Sequence, residues 1–369
     1  RRIKHHTHQS KSSGIKYLDI PTDTSIPWNN IPSHLSDDKW KKVENPEDIE
    51  RCLISRNRAH LSQAQGTPFT IHPLKELLGQ DSLTPFGNSL LLGKADLTHL
   101  PLTSLQKLYL SELRKASSAL SSPLHHHISL SDMSQGFKKW KESTSTSPSN
   151  RHLGHYKSFL VSDGKENDDK HSSFNHQMLQ TFNTILNATI ESGIPLTRWL
   201  SSIVVMIEKI PNTPRINKLR IINIYEADYN LLQKFFWPKL STKHAEATHT
   251  LGENAWGCRP GCSADNVAMI DEFVTEVHRL TFTNLFKLQH DAKACFDRII
   301  NSRAMLNSRK FEVPDKICKL YSATLRNTEY RVQTALGIST QSYSHSEIDP
   351  IHGNGQGVGS VSYTHLRAH

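Results

Sequence analysis

The residues best suited to chemistry lie between positions 284 and 300, in the run NLFKLQHDAKACFDRII. The first part of this run, residues 284–290, alternates as a β-strand does, and Asp291 follows it directly. A carboxylate held where a buried strand ends suits a hard divalent cation, which takes oxygen ligands and keeps room for substrate phosphates. The alternative interpretation is that Asp291 caps a helix. The run by itself leaves both interpretations open.

A basic hairpin is the second candidate. Residues 200–207 and 219–225 are rich in β-branched residues, and a Pro/Asn-rich connection with Lys209, Arg215 and Lys218 joins them. Arg220 stands at the start of the second predicted strand. Guanidinium and ammonium groups at a hairpin tip can bind a triphosphate. A solvated charged turn fits the same pattern.

Two loops combine basic residues with glycine or a turn. Arg151 follows a Ser/Thr/Pro-rich stretch, which predicts either a phosphate contact or a plain turn before a helix. Gly257, Arg259 and Gly261 precede Ser263, a predicted helix cap. This second loop offers backbone donors and a cation to a nucleic-acid backbone, unless Arg259 only stabilises the loop.

Taken in order, these motifs resemble the reverse transcriptases of non-LTR (LINE-type) retrotransposons. The Asp-(x)4-Phe-Asp run at 291–297 resembles the first catalytic motif of that family. The run KLRII at 218–222 is similar to the fingers motif whose arginine grips the phosphates of the incoming nucleotide, although the family more often has Pro after that arginine. The loop at 257–263 resembles a GFRPGRS-type loop, with cysteines at its usual aromatic and basic positions. The glycine-rich run at 353–357 resembles the second palm motif.

The resemblance implies an RNA-directed DNA polymerase that uses two Mg²⁺ ions, with Mn²⁺ as the other candidate metal. It implies that Asp291 is catalytic and binds the metal, and that the backbone carbonyl of Ala292 adds a ligand. It gives Asp297 a supporting role beside the metal ligands. Phe296 would lie under the nucleotide sugar, where its ring selects deoxynucleotides.

The remaining site residues are expected to bind the nucleotide and the nucleic acid. Arg220 and Lys218 would neutralise the triphosphate, and Gln356 would support the template base opposite the nucleotide. The implied template or nucleic-acid contacts are Arg151, Gly257, Arg259, Gly261, Gly355 and Gly357.

The fold class implied is α+β: right-hand polymerase fingers and a partial palm, with an antiparallel sheet packed on helices, after a helical N-terminal region. The predicted units are a polar, disordered arm (1–50), a helical region of unassigned role (51–145), the fingers (146–255) and the partial palm (256–360). Residues 361–369 resemble a translated sequencing adapter and are set apart.

The chain starts with Arg1 and stops before the family's aromatic-x-Asp-Asp hairpin, so we expect a fragment that is inactive in primer extension. The missing parts would be the rest of the palm, a thumb and an endonuclease or RNase H domain.

Local patterns predict several elements with no chemical role. Capping indicates a helix over 48–62, and an apolar stripe indicates another over 174–190, ended by Gly193. A helix over 226–240 carries aromatic residues that we expect to pack in the core. The helix after Ser263 has an apolar face, which predicts burial.

Composition limits the partners. Lys plus Arg outnumber Asp plus Glu by 44 to 35, and the net charge of +9 favours a polyanion such as an RNA or DNA template-primer, with dNTP as the second substrate. The five cysteines have no disulfide or zinc-finger spacing, which indicates an intracellular protein of the nucleus or the cytoplasm. No apolar run approaches the ~20 residues of a membrane span.

Two other functions fit parts of the sequence. A basic remnant without catalytic activity would bind nucleic acid, and its binding would not change in Asp291→Ala. A metal-dependent nuclease would use Asp291 and Asp297, but no His or Glu cluster accompanies this pair.

Overall fold

The structure is a computed structural model that describes residues 14–114, 126–141, 148–160, 169–249, 251, 259, 261–288 and 295–353. These residues form a mixed α+β fold, as the sequence predicts at this level. The described strands are β1 (Leu18–Pro21), β2 (Trp40–Val43), β3 (Ser201–Glu208), β4 (Leu219–Ile224), β5 (Glu329–Thr334), β6 (Gly337–Ile338) and β7 (Tyr343–Ser344).

Helices make up most of the remaining regular structure. Those in the described residues are α1 (Pro46–Leu61), α2 (Leu74–Leu78), α3 (Pro85–Leu91), α4 (Ser104–Ser111), α5 (Leu130–Lys139), α6 (Leu153–Ser158), α7 (Asp169–Ser192), α8 (Ala227–Lys234), α9 (Lys243–Ala247), α10 (Ala264–Leu280), α11 (Asn301–Lys310) and α12 (Asp315–Asn327). A π-helical segment, Phe235–Thr242, joins α8 to α9. Within the described ranges, no helix combines the length and the apolar composition that crossing a membrane requires.

Residues 14–50 correct the prediction of a disordered arm. Strands β1 and β2 pair antiparallel, with Leu18 opposite Val43, and both of these side chains are buried. The backbone N–H of Asp19 donates to the carbonyl of Pro214 at 3.1 Å, which attaches β1 to the β3–β4 connection. The prediction was wrong because the exposed face of this hairpin makes the composition polar, while its other face packs into the core.

The main sheet has the strand order β4-β3-β5-β6, and β7 pairs with β5. The predicted β3–β4 hairpin is confirmed, with Ile203 opposite Ile224. The prediction of a wholly antiparallel sheet is wrong, because β3 and β5 run parallel, with Ser201 opposite Glu329. Helices α8–α12 lie between these two strands in sequence, and a parallel pair needs such a long crossover.

Three predicted helices are confirmed. Helix α1 is capped by Asn45, whose side chain accepts from the N–H groups of Glu47 and Asp48. Helix α7 contains the predicted span 174–190 and ends at Gly193, which has φ of +66°. The helix predicted over 226–240 is α8 with the π-helical segment, and its aromatic residues are buried as expected: Tyr229, Phe235, Phe236 and Trp237.

The region from α10 to Leu288 differs from its prediction. Ser263 caps α10 as predicted, by accepting from the N–H of Asn266. All residues of α10 are described and none is buried; Phe273, in the middle of the apolar stripe, is 69 % exposed. Residues 284–288, the described part of the predicted strand over 284–290, are irregular and exposed. The periodicity correctly identified the apolar face of α10, but the expectation that this face is buried is wrong. Periodicity carries no information about whether another element packs against a helix.

Candidate functional site

The β3–β4 hairpin presents basic side chains near its turn. The backbone N–H of Lys209 donates to the carbonyl of Lys218 at 2.8 Å, which extends the pairing by one step beyond the strands. Along β4, Leu219 and Ile221 are buried, whereas Arg220 between them is exposed. Side chains alternate along a strand. Because Leu219 and Ile221 point into the core, Arg220 points towards solvent. No carboxylate pairs with Arg220 among the described residues.

A buried arginine of α1 supports this hairpin from within. Arg56 is 2 % exposed, and its Nη2 atom donates to the carbonyl of Leu219 at 2.9 Å. Its Nη1 atom donates to Oδ1 of Asn57 at 3.1 Å. Burial lowers the pKa of the Arg56 guanidinium to about 10, against the opposing effect of Asp297. Arg56 therefore stays charged at neutral pH and adds positive charge below β4.

Asp297 faces this basic group from another part of the chain. Its Oδ2 atom lies 3.8 Å from Nδ1 of His60 on α1. Burial lowers the pKa of the Lys209 ammonium, and the charges of Arg56, Arg220 and Lys218 lower it further, while Asp297 raises it. The hairpin, α1 and the turn at Asp297 thus share one electrostatic environment, in which positive charge is in excess.

One face of α1 holds these parts together. Arg56 and His60 lie four residues apart on this face, and Gln63 follows in the turn after the helix ends at Leu61. Arg56 bonds the hairpin and His60 lies beside Asp297. The Oε1 atom of Gln63 accepts from Nη2 of Arg298 at 2.7 Å. The sequence analysis placed α1 outside the polymerase-like region, so this role of Arg56 and His60 was not predicted.

The start of the glycine-rich run packs against the turn at Phe296 and Asp297. The N–H of Gly353 donates to the carbonyl of Ile299 at 2.7 Å. A Cβ atom on Gly353 would come within 2.8 Å of the Phe296 carbonyl oxygen and 2.9 Å of the Asp297 Cα atom, and φ of +95° also favours glycine here. The backbone N–H of His352 donates to the carbonyl of Leu61 at 2.8 Å, at the end of α1. Glycine is therefore required at the first position of this run.

Several predicted site residues lie outside the described residues. They are Gly257, Asp291, Ala292, Gly355, Gln356 and Gly357. Their predicted roles stay predictions. Gly261 is described and has φ of +78°, in the turn that leads to α10.

Two predicted nucleic-acid contacts have protein neighbours. The Nε atom of Arg259 lies 3.2 Å from Oε1 of Glu246, which is the kind of contact that the loop-stabilising alternative expected. Arg151 is exposed and lies at a small cavity of about 40 Å³ with Tyr156, Arg198 and Asp228. Arg198 forms an ion pair with Asp228 there. Arg151 therefore lies beside the Arg198–Asp228 ion pair. No described hydrogen bond joins Arg151 to the β3–β4 hairpin.

The described residues do not by themselves form a ligand set for Mg²⁺. The described side chains that interact electrostatically with Asp297 include Arg56, His60 and Lys209, and these three are bases, not oxygen ligands. Magnesium prefers an octahedron of oxygen ligands, and the predicted ligands Asp291 and Ala292 lie outside the described residues. What the described arrangement can do is bind an anion: exposed guanidinium and ammonium groups on a rigid hairpin suit phosphate oxygens.

A larger cavity of about 280 Å³ is lined by Gly353 and by residues of α2 and α12. Three of its charged residues pair with each other: Glu347 lies 3.3 Å from Lys75 and 3.2 Å from Arg326. Burial lowers the pKa of His352 on its wall to about 4. This cavity is mixed in charge, so the hairpin is the better anion site.

Neither a protein-family model nor a curated protein matches this sequence. The function is therefore inferred from the residues and their arrangement.

Proposed function

We propose that this chain forms the fingers (146–255) and a partial palm (256–360) of a non-LTR retrotransposon reverse transcriptase, a domain for template-directed nucleotidyl transfer. The observation that carries the proposal is the meeting of three motifs at one place. The β3–β4 hairpin with Arg220, the turn at Asp297 and the glycine-rich run at Gly353 are far apart in sequence, and α1 brings them together. The resemblance expects these motifs to share one site.

In this proposal Arg220 and Lys218 bind the triphosphate of the incoming dNTP. Arg220 is exposed, points away from the core and has no described acidic partner. Lys209 and Arg56 add positive charge nearby. Arginine can bind phosphate through two parallel hydrogen bonds, so its loss should weaken binding more than the loss of a distant surface charge does.

The remaining roles follow the resemblance. Asp291, with the carbonyl of Ala292, would hold the catalytic Mg²⁺, which stabilises the developing charge of the transferred phosphoryl group. Phe296 lies next to Gly353, where its ring would face the nucleotide sugar. Gln356 would support the template base. RNA or DNA template-primer would lie along the loop of Arg259 and Gly261.

Nucleotide binding by the whole 369-residue chain tests the proposal. Fluorescence anisotropy would follow a labelled dNTP at fixed ionic strength with MgCl₂ present. Arg220→Ala should weaken binding by roughly 10- to 100-fold, because it removes charge-assisted hydrogen bonds worth about 1.5–3 kcal/mol. The matched control is Arg279→Ala on α10, where an exposed arginine pairs with Glu276 at 2.7 Å; this variant should bind as the wild type does.

The competing function, a basic remnant that binds nucleic acid without catalysis, predicts a different pattern. Both arginine variants would then weaken RNA binding to the same degree, and each would lower the salt slope by about one. Equal dNTP binding by the wild type and Arg220→Ala would contradict the polymerase proposal and favour the remnant.

A further inference from the structure

A cluster of imidazole and carboxylate groups lies away from the hairpin, between the segment before α5 and helix α7. The Nε2 atoms of His126 and His127 lie 2.6 Å and 3.0 Å from the same atom, Oε1 of Glu191. The two imidazole rings are 4.7 Å apart. One ligand atom from each of the three residues lies within 4.8 Å of the others. Three potential ligands therefore converge on a space the size of a single ion.

The histidine pair is held in place by its backbone. Ile128 is buried, and its N–H donates to Oδ1 of Asn187 at 2.8 Å. The carbonyl of Ile128 accepts from the Nδ2 atoms of Asn183 and Asn187, both at 2.9 Å. Asn183, Asn187 and Glu191 follow at intervals of four residues, so they share one face of α7. The two amides fix the chain directly beside the histidines, and the carboxylate lies one turn further along α7.

Glu191 is anchored from its other side. Its Oε2 atom pairs with Lys316 of α12, while Oε1 faces the histidines. This contact with the lysine sets the orientation of the carboxylate. The side chain of Glu191 is 38 % exposed, so an ion can enter from solvent.

We propose that His126, His127 and Glu191 bind one Zn²⁺ ion, with water in the fourth position. Two imidazole nitrogens and one carboxylate oxygen are a ligand set that zinc takes at tetrahedral geometry. Imidazole ligands favour Zn²⁺ over Mg²⁺ and Ca²⁺, which prefer oxygen. The ion would tie the segment at 126–129 to α7, and its binding would stabilise the folded state by mass action. This proposal does not depend on the polymerase function.

The test uses the whole chain, with Zn²⁺ and the spectroscopic probe Co²⁺ as ligands. His127→Asn and Glu191→Gln remove one ligand each, and the exposed position of His127 leaves the core intact. The matched control is His72→Asn: the Nδ1 atom of His72 lies 3.4 Å from Glu76, but no second histidine of the described ranges joins this pair. Other histidines, such as His5, His6 and His8, are present in every variant and add the same background of bound zinc. The measured quantity is therefore the difference in zinc binding between variants.

We expect the wild type and His72→Asn to bind one more Zn²⁺ ion than His127→Asn and Glu191→Gln do, in competition with a chromophoric chelator. The Co²⁺ difference spectrum between wild type and His127→Asn should show the visible absorption of a tetrahedral ion. Zinc should also raise the unfolding temperature of the wild type and of His72→Asn more than that of the other two variants. Equal zinc stoichiometry and equal zinc-induced shifts in all four proteins would overturn the proposal.

Discussion

Helices α1 and α10 have the same kind of sequence and opposite surroundings. Both are capped at their N-termini by a side chain, Asn45 for α1 and Ser263 for α10, and both carry an apolar stripe. Helix α1 buries part of its length against the core and contacts the hairpin and the turn at Asp297. Helix α10 buries none of its residues. Capping and periodicity thus define a helix, whereas its contribution to stability depends on the elements packed against it.

The largest expected difference between the two helices concerns their apolar residues. Leu53 of α1 is fully buried, and Phe273 of α10 is 69 % exposed. Leu53→Ala should lower the free energy of unfolding by about 2–5 kcal/mol, because it removes buried methyl groups and leaves a cavity. Phe273→Ala should change it by less than about 0.5 kcal/mol. Urea unfolding followed by circular dichroism measures both, and a comparable loss in the two variants would show that α10 is packed after all.

The next comparison concerns the arginines. Arg56→Met should cost about 1–3 kcal/mol, because the carbonyl of Leu219 and Oδ1 of Asn57 lose a charged donor. Arg279→Met removes an exposed ion pair of α10, which is worth at most about 1 kcal/mol. Arg56→Met should also weaken dNTP binding, since Arg56 positions the hairpin. If the variant loses stability but binds the nucleotide as the wild type does, Arg56 has a structural role alone.

The two caps allow a finer comparison. The Asn45 side chain accepts from two backbone N–H groups, and Asn45→Ala should cost about 1 kcal/mol of global stability. Ser263→Ala removes a similar cap from α10. It should reduce helix content locally and leave the main unfolding transition unchanged, because α10 is not part of the packed core. Hydrogen exchange along α10, together with urea unfolding, distinguishes local from global loss; a global loss in Ser263→Ala would contradict the exposed placement of α10.

Helices and hairpins that depend only on neighbouring residues could be predicted from the sequence. The β3–β4 hairpin followed from β-branched runs around a Pro/Asn turn, and α7 followed from a stripe of apolar residues ended by Gly193. The parallel pairing of β3 with β5 could not be predicted, because partners that are far apart in sequence leave no periodic signal. The hairpin over 18–43 was expected to be disordered because its strands are short and half polar, so its composition resembles that of an unfolded segment.

The sequence pointed to some residues of the candidate site and not to others. Arg220 was predicted from its place in a basic hairpin, and the structure shows it exposed on β4; its role in binding stays a prediction. Arg56 and His60 were missed, because a basic residue in a helix usually indicates a solvated face. Their function as neighbours of Asp297 depends on the three-dimensional packing of α1 against the sheet. No pattern within a single segment contains that information.

The smallest expected difference is a pH effect of His60. Burial lowers its pKa in the folded state, and this outweighs the opposing effect of Asp297. The unfolded state therefore binds more protons than the folded state below the ordinary histidine pKa of about 6.5. The stability contributed by neutral His60 is complete above this pH and is lost as the pH falls through 6.5 towards the lowered pKa. His60→Gln should thus lose less stability than the wild type does between pH 7 and pH 5.5, whereas the control, His278→Gln on α10, should follow the wild type. If all three proteins lose the same stability over this range in urea unfolding, then His60 is not buried beside Asp297, and α1 does not form the base of the candidate site.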